Sequence, residues 1–434
     1  MSLFSELRAL QGTQDAPFLI DGHRRTRIVD VLDQDMSEFA EVRPGDVVAV
    51  VGSFSSGAIA ALLHLFDLGA IVVPLAPDSA LQHDYFFATA GVDFVHDGTA
   101  LRRLRAERDP HPLLEELRQR GHAGLILFSS GTTGRPKAIL HDFDHFVRRY
   151  RQPRPALRTL NFLLFDHIGG INTLFHTLFN KGLVVVPSAR TADGVLTTIE
   201  LHQVELLPTT PTFLRMLLAG GLSAGGLPAC LKIVTYGTER MDQTTLNRLC
   251  AHFPAIDFRQ TYGMSELGIL RVKSEAPNSL WMKVGGDGVE TRVTAEGVLQ
   301  IASATRMLGY MNAPSPFTDG WYDTGDLVET KEGGYIRIIG RSKEIINIGG
   351  IKILPGEIER VGLDHPLVLR CIAKGVANPI TGQHIEVTCQ LRDGAELSRS
   401  ALRDHFRRSL PQAVWPHRVA IGEVPVNHRF KQMG

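Results

Sequence analysis

Residues 128–137 read Phe-Ser-Ser-Gly-Thr-Thr-Gly-Arg-Pro-Lys, and their side chains suit an anion. Gly131 and Gly134 let the backbone turn tightly and bring its N–H groups close to a bound anion. Ser129, Ser130, Thr132 and Thr133 add hydroxyl donors, and Lys137 adds a cation. The apolar run 125–128 that feeds the loop predicts a buried strand. The composition is that of a loop that holds phosphates. It is not a Walker A loop, because no Gly-Lys-Ser/Thr ending follows that motif's spacing.

Two further segments carry compatible chemistry. Thr261-Tyr262-Gly263-Met264-Ser265-Glu266 follows a predicted strand over 256–259. A tyrosine can stack on a purine, and the adjacent hydroxyl and carboxylate can handle a phosphate and its magnesium ion. Gly320-Trp321-Tyr322-Asp323-Thr324-Gly325-Asp326 ends on a carboxylate that can accept bonds from both hydroxyls of a ribose.

In chain order these segments resemble the adenylate-forming enzymes, the family of acyl-CoA synthetases, luciferases and peptide-synthetase adenylation domains. The resemblance runs over nearly the whole chain. It implies that loop 129–137 holds the β- and γ-phosphates of ATP. It also implies that Tyr262 stacks on adenine, Ser265 contacts the α-phosphate and Glu266 ligates Mg²⁺. Ser265 stands where threonine is usual and keeps the hydroxyl. Gly237 and Thr238, in the turn Tyr236-Gly237-Thr238-Glu239, would lie against the other adenine face, with Gln260 and Gly263 beside the nucleotide. Asp326 and Arg341 would hold the ribose, and Lys343 would be the hinge between two domains. The Gly349–Gly350 loop would swing in to line a thiol tunnel. Lys431, six residues after Pro425, matches the catalytic lysine, with Phe430 where glycine usually precedes it.

The same resemblance bears on the acid. Counting back from Gly182, His167 falls where acyl-CoA synthetases carry a histidine or aromatic gate. Asp166, one residue earlier, does not align with the aspartate that holds an α-amino group in peptide-synthetase domains. A carboxylic acid without a required α-ammonium is implied, short and functionalised or modestly aromatic. Candidate lining residues are Gly170, Asn172, Thr173, Phe213, Tyr236 and Thr238, with Gly169 and Gly170 leaving room for the acid. The implied reaction is a two-step ligation. An acyl-adenylate forms with loss of pyrophosphate, and the acyl group passes to CoA or to a carrier-protein phosphopantetheine. A non-catalytic nucleotide-binding relative is the rival reading.

Positioning such residues takes an α/β scaffold. Short apolar strands are expected at 47–51, 71–74, 125–128, 162–165, 183–186, 205–207, 233–236 and 256–259. Helices are expected at 53–68, 112–120, 171–179, 197–202 and 211–218. This alternation argues for parallel sheets with helices on their faces. After about Gly297 the pattern changes to short alternating segments, 298–302 and 335–339, with Gly333-Gly334 at a turn. These read as antiparallel β structure. A compact α+β module follows, with helices at 355–363 and 399–410 and strands at 368–376 and 385–391. Pro355 and Glu357 suit a helix start whatever the function. The expected organisation is a large N-terminal α/β domain over 1–339 with a small β subdomain, and a small mobile C-terminal domain over 340–434.

Composition excludes other classes. The chain has 434 residues, 44% hydrophobic and 21% charged, with 46 basic and 46 acidic side chains. This balance gives no nucleic-acid footprint and no polybasic membrane patch. Arg102, Arg103, Arg105 and Arg108 read as a solvated helix face. Cys230, Cys250, Cys371 and Cys389 form no CxxC pair, which argues against zinc and against a disulfide framework, and for a reducing, cytoplasmic setting. No signal pattern and no apolar run of about 18 residues occurs, so no membrane insertion is expected.

Overall fold

The computed structural model describes residues 2–11, 16–104, 111–129, 135–218 and 226–426. Four sheets organise them. The sheet that carries the expected phosphate loop runs Gly309–Tyr310, Ala138–Asp142, Gly124–Phe128, Ile71–Leu75, Val47–Val51, Phe94–His96, Leu101–Arg103. Its central four strands are parallel, and Ala138–Asp142 returns antiparallel to Gly124–Phe128. All five residues of Gly124–Phe128 are buried, which explains an apolar run without alternation.

A second, mostly parallel sheet runs Asp257–Gln260, Ile233–Tyr236, Leu206–Thr209, Arg158–Leu160, Leu183–Val186, Leu19–Asp21, Arg24–Thr26. Helices Ser56–Asp67 and Ile168–Phe179 share one core. There Phe66 stacks on Phe143 at 3.6 Å, and both rings meet Phe175 edge-on. Local chemistry sets the helix ends. The helix Pro112–Arg120 starts on a proline and stops at Gly121, whose φ of 66° is left-handed.

The third sheet is antiparallel, in the order Tyr262–Met264, Gly268–Ser274, Met282–Gly285, Tyr335–Arg341, Trp321–Lys331, Val298–Ser303, Val289–Val293. Tyr262–Met264 and Trp321–Lys331 are four strand steps apart, about 19 Å in a flat sheet. Yet the Tyr262 hydroxyl donates to Asp326 at 2.6 Å, so this sheet curls back on itself. The fourth sheet is built from Ile346–Ile348, Ile351–Ile353, Val368–Asn378, Gly382–Leu391 and Arg418–Ile421, with its own buried core around Ile358, Ile385, Leu402 and Phe406. The molecule is thus a large α/β N-terminal domain with a β subdomain and a smaller α+β C-terminal one. The two meet where Thr244 donates to Asp364 at 2.7 Å.

Three local expectations are corrected. Residues 162–165 are not a strand. The strand is Arg158–Leu160, and the chain then turns into a helix that begins at Ile168 rather than 171, because the His167 ring caps it there. Arg102 and Arg103 lie in the short edge strand Leu101–Arg103, not on a helix, and are exposed there. Arg105 and Arg108 lie outside the described residues. The helix Gln243–His252 was not expected, although Asp242 caps it by accepting from Thr245 N at 2.7 Å.

Candidate active site

The ends of the expected phosphate loop, Ser129 and Lys137, are pinned to each other. Ser129 N donates to the Lys137 carbonyl at 3.0 Å, and Lys137 N donates to the Ser129 hydroxyl at 2.9 Å. Ser129 therefore closes the loop. Ser130, Gly131, Thr132, Thr133 and Gly134 lie outside the described residues. The exit is clamped from afar by Asn312. Its Nδ2 donates to the Pro136 carbonyl at 3.0 Å, and its Oδ1 accepts from Ala138 N at 2.9 Å. Tyr85 donates to the same Pro136 carbonyl at 2.8 Å.

Lys137 is exposed, with Nζ 4.5 Å from the centre of the Tyr310 ring. The Tyr310 hydroxyl in turn donates to Glu266 Oε1 at 2.7 Å. Tyr322 lies against both, and burial together with the Glu266 carboxylate pushes the Tyr310 and Tyr322 phenols far above the usual tyrosine range. Three parts of the sequence thus meet around Glu266. The pairing of Gly309–Tyr310 with Ala138–Asp142 brings them together, setting Tyr310 opposite Ile139.

The segment before Glu266 is fixed from beneath. His141 is fully buried and holds the Ser265 carbonyl through Nε2 at 2.6 Å. Burial pulls its imidazole down to about 4. The Arg149 guanidinium donates to the carbonyls of Leu267 at 3.3 Å and Thr305 at 3.1 Å. Gly268 has φ +75°, and a Cβ there would overlap that guanidinium. Gly263 packs its Cα against the Gly268 carbonyl and Ile269.

Asp326 is buried between two partners. Tyr262 donates to Oδ2, and Arg341 Nε donates to Oδ1 at 3.1 Å. Arg341 faces Asp326 directly across the hairpin formed by Trp321–Lys331 and Tyr335–Arg341. Burial and the neighbouring carboxylate hold the Tyr262 phenol well above its usual range. Gly237 packs against Thr261, whose hydroxyl would collide with any Cβ there. Thr238 is exposed with φ +69°, a strained conformation for a β-branched residue. Gln260 ends its strand with Oε1 buried and without a hydrogen-bond partner among the described residues.

The residues expected around the acid are placed as follows. His167 caps the helix Ile168–Phe179, its Nδ1 accepting from Gly169 N at 2.9 Å. A Cβ on Gly170 would strike the Leu164 carbonyl, and one on Gly169 the Leu163 side chain. Both glycines therefore serve close packing of the helix on its own approach loop, not the open space expected of them. Asn172 Oδ1 accepts from the Tyr150 hydroxyl at 3.1 Å, and Thr173 donates to the Gly169 carbonyl at 2.8 Å. Tyr236 and Phe213 are buried in the core of the second sheet. Lys343 is exposed in the turn Ser342–Glu344, between the last strand of the third sheet and the first of the fourth. Gly349 and Gly350 form an exposed hairpin turn, with φ +56° and +95°. Lys431 lies outside the described residues.

Sequence reasoning missed Tyr310, Asn312, His141 and Arg149. Nothing in local spacing marks them, since each acts on a segment far along the chain.

The donor set fits a magnesium nucleotide. A tyrosine-held carboxylate shares that tyrosine with Lys137, the last residue of the expected anion loop, and a second, buried carboxylate is oriented by an arginine and a tyrosine. Comparison with known proteins agrees. The family described as AMP-binding enzyme matches residues 36–288. The sulfoacetate–CoA ligase of Cupriavidus necator is 32% identical over 327 residues, covering 69% of this chain and 64% of that protein. The chain thus spans under two thirds of that relative's length. The fold superposes on o-succinylbenzoate CoA synthetase of Bacillus subtilis in complex with an acyl-adenylate, with a TM-score of 0.81 and 20% identity over 100% of this chain and 97% of that one. It also superposes on the amide bond synthetase McbA of Marinactinospora thermotolerans, at TM-score 0.77 and 20% identity, over 98% of this chain and 96% of that one. On the family match and the carboxylate arrangement together, this chain belongs to the AMP-binding enzymes.

Proposed function

We propose that this protein activates a carboxylic acid with ATP and Mg²⁺ and then passes the acyl group to a thiol, CoA foremost. In the first step a carboxylate oxygen bonds to the α-phosphorus and pyrophosphate leaves. In the second the thiol sulfur, losing its proton, bonds to the acyl carbon and AMP leaves. The observation that carries this reading is the joining of Lys137, Tyr310 and Glu266 at the mouth of the phosphate loop. Tyr310 occupies one oxygen of Glu266, so the second oxygen is the one to offer a magnesium ion. The metal supplies charge neutralisation on the phosphates. Catalysis by the protein is then positioning plus electrostatic stabilisation.

The likeness to a sulfoacetate–CoA ligase and to a fold that holds an acyl-adenylate supports this reading. The domain boundary falls near Gly340–Lys343, with Lys343 as the hinge. Lys431 stabilises charge in the first step, and the Gly349–Gly350 loop serves the second. His167 gates the acid, which lacks a required α-ammonium.

The test is acid-dependent pyrophosphate release from ATP across aromatic, short functionalised and long-chain acids, without and then with CoA. Release followed by thioester and AMP is expected. Release that stalls at bound adenylate with CoA, and proceeds with a phosphopantetheinyl carrier protein, would change the acceptor. ATP binding with no release from any acid would overturn the reading in favour of a non-catalytic relative. Lys431→Ala should slow the first step about 100-fold and spare thiolation of supplied acyl-adenylate.

A further inference from the structure

At the far end of the phosphate-loop strands lies a second cluster that the ligase reaction does not use. The strands Gly124–Phe128 and Ala138–Asp142 pair Phe128 with Ala138 beside the loop and Gly124 with Asp142 at the other end, about 13 Å away. Asp142 is buried, with 1% of its side chain exposed. His122 Nδ1 lies 2.8 Å from Asp142 Oδ2, and His145 Nδ1 lies 3.7 Å from the same oxygen. One ligand atom from each of the three residues falls within 4.8 Å of the others. The two rings meet edge-on at 5.6 Å and are about one third exposed, so the cluster opens to solvent on one side.

We propose that His122, Asp142 and His145 bind a zinc ion. Two imidazoles and one carboxylate are a zinc donor set with a coordination position left for water. A hard ion such as Mg²⁺ prefers oxygen throughout, so the nitrogen donors separate this site from the catalytic one.

The ligands are held ready by backbone structure. Asp142 Oδ1 caps its own short helix by accepting from His145 N at 3.2 Å, which leaves Oδ2 for the imidazoles. Phe143 N donates to the Ala123 carbonyl at 2.9 Å, and Ala123 N donates to Asp144 Oδ2 at 3.2 Å. The segment that carries His122 is therefore stitched to the one that carries the other two ligands. One group competes: Arg120 Nη1 lies 3.0 Å from Asp142 Oδ2. Its other nitrogen already pairs with Glu116, so the guanidinium has a second carboxylate to rest on when zinc takes Oδ2.

The test is calorimetric titration of the full chain with Zn²⁺, with Mg²⁺ in excess. One tight site is expected. Its affinity should fall about 10-fold or more in His122→Gln and in His145→Gln. It should hold or rise in Arg120→Gln, because a competing cation is gone. Melting each variant in EDTA checks the fold. Should a histidine variant melt early, Co²⁺ on the unaltered chain decides. Visible absorption of imidazole-bound cobalt, displaced by one equivalent of zinc, is expected. Zinc binding that is absent, or unchanged by both histidine variants, overturns the proposal. So does binding lost as deeply in Arg120→Gln as in the histidine variants, or a cobalt complex without those bands.

Discussion

At the scale of the residue, His141 shows what burial does to one group. A carbonyl only accepts, so the bond to the Ser265 oxygen requires the proton on Nε2. Nδ1 is buried with no partner among the described residues, and adding a proton there would bury a charge. The imidazole accordingly falls to about 4, with burial the largest cause. In the unfolded chain it returns to roughly 6.5. Between those values the unfolded state holds the extra proton, so stability falls as pH drops through that window and is unaffected above it. The loss reaches about 3 kcal/mol near pH 4. Urea unfolding from pH 4 to 7.5 should therefore show a shallower pH slope in His141→Asn than in the parent, and parallel slopes would refute the assignment. The sequence makes Glu266, Asp326 and Lys137 legible through their motifs. It leaves Tyr310 and His141 silent, because a lone tyrosine or histidine carries no spacing signal.

At the scale of the element, the turn after Glu266 is set by one glycine. Gly268 sits at a positive φ and against the Arg149 guanidinium, so Gly268→Ala meets backbone strain and overlap together. A cost of about 2–4 kcal/mol is expected, with loss of pyrophosphate release, because Arg149 and the Leu267 carbonyl hold the Glu266 turn. A melting temperature and turnover equal to the parent's would contradict this. Helix and strand positions were readable where punctuation was strong. Pro112 and Gly121 bracket a helix at the expected residues, and the apolar runs at 47–51 and 233–236 are strands as read. The reading failed at 162–165, where an apolar run is core loop rather than strand. It also passed over Asp242, whose type before Gln243–His252 is a helix-start signal.

At the scale of the whole molecule, the C-terminal sheet has its own core, separate from the large domain's. Phe406 is fully buried in it and touches Gly362 of the helix Pro355–Asp364. Phe406→Ala should remove about 3–5 kcal/mol from that core alone. Two-domain chains depart from all-or-none unfolding. Calorimetry should thus show one transition moving down while the other stays. A single transition that shifts as a whole would show that the two cores melt together.

The sequence by itself determined the chemistry on offer: a glycine- and hydroxyl-rich loop ending in a lysine, a hydroxyl–carboxylate pair, an aspartate after Thr324-Gly325 and the alternation that calls for parallel sheets. These are local properties, set by residue type and by spacing within a few residues. Only the tertiary structure decided which groups meet. Tyr310 reaches Glu266 across 44 residues, Asn312 reaches Ala138 across 174, and the curl of the third sheet brings Tyr262 onto Asp326. Strand order, register and curl arise from packing among distant segments, and no short stretch of the chain encodes them.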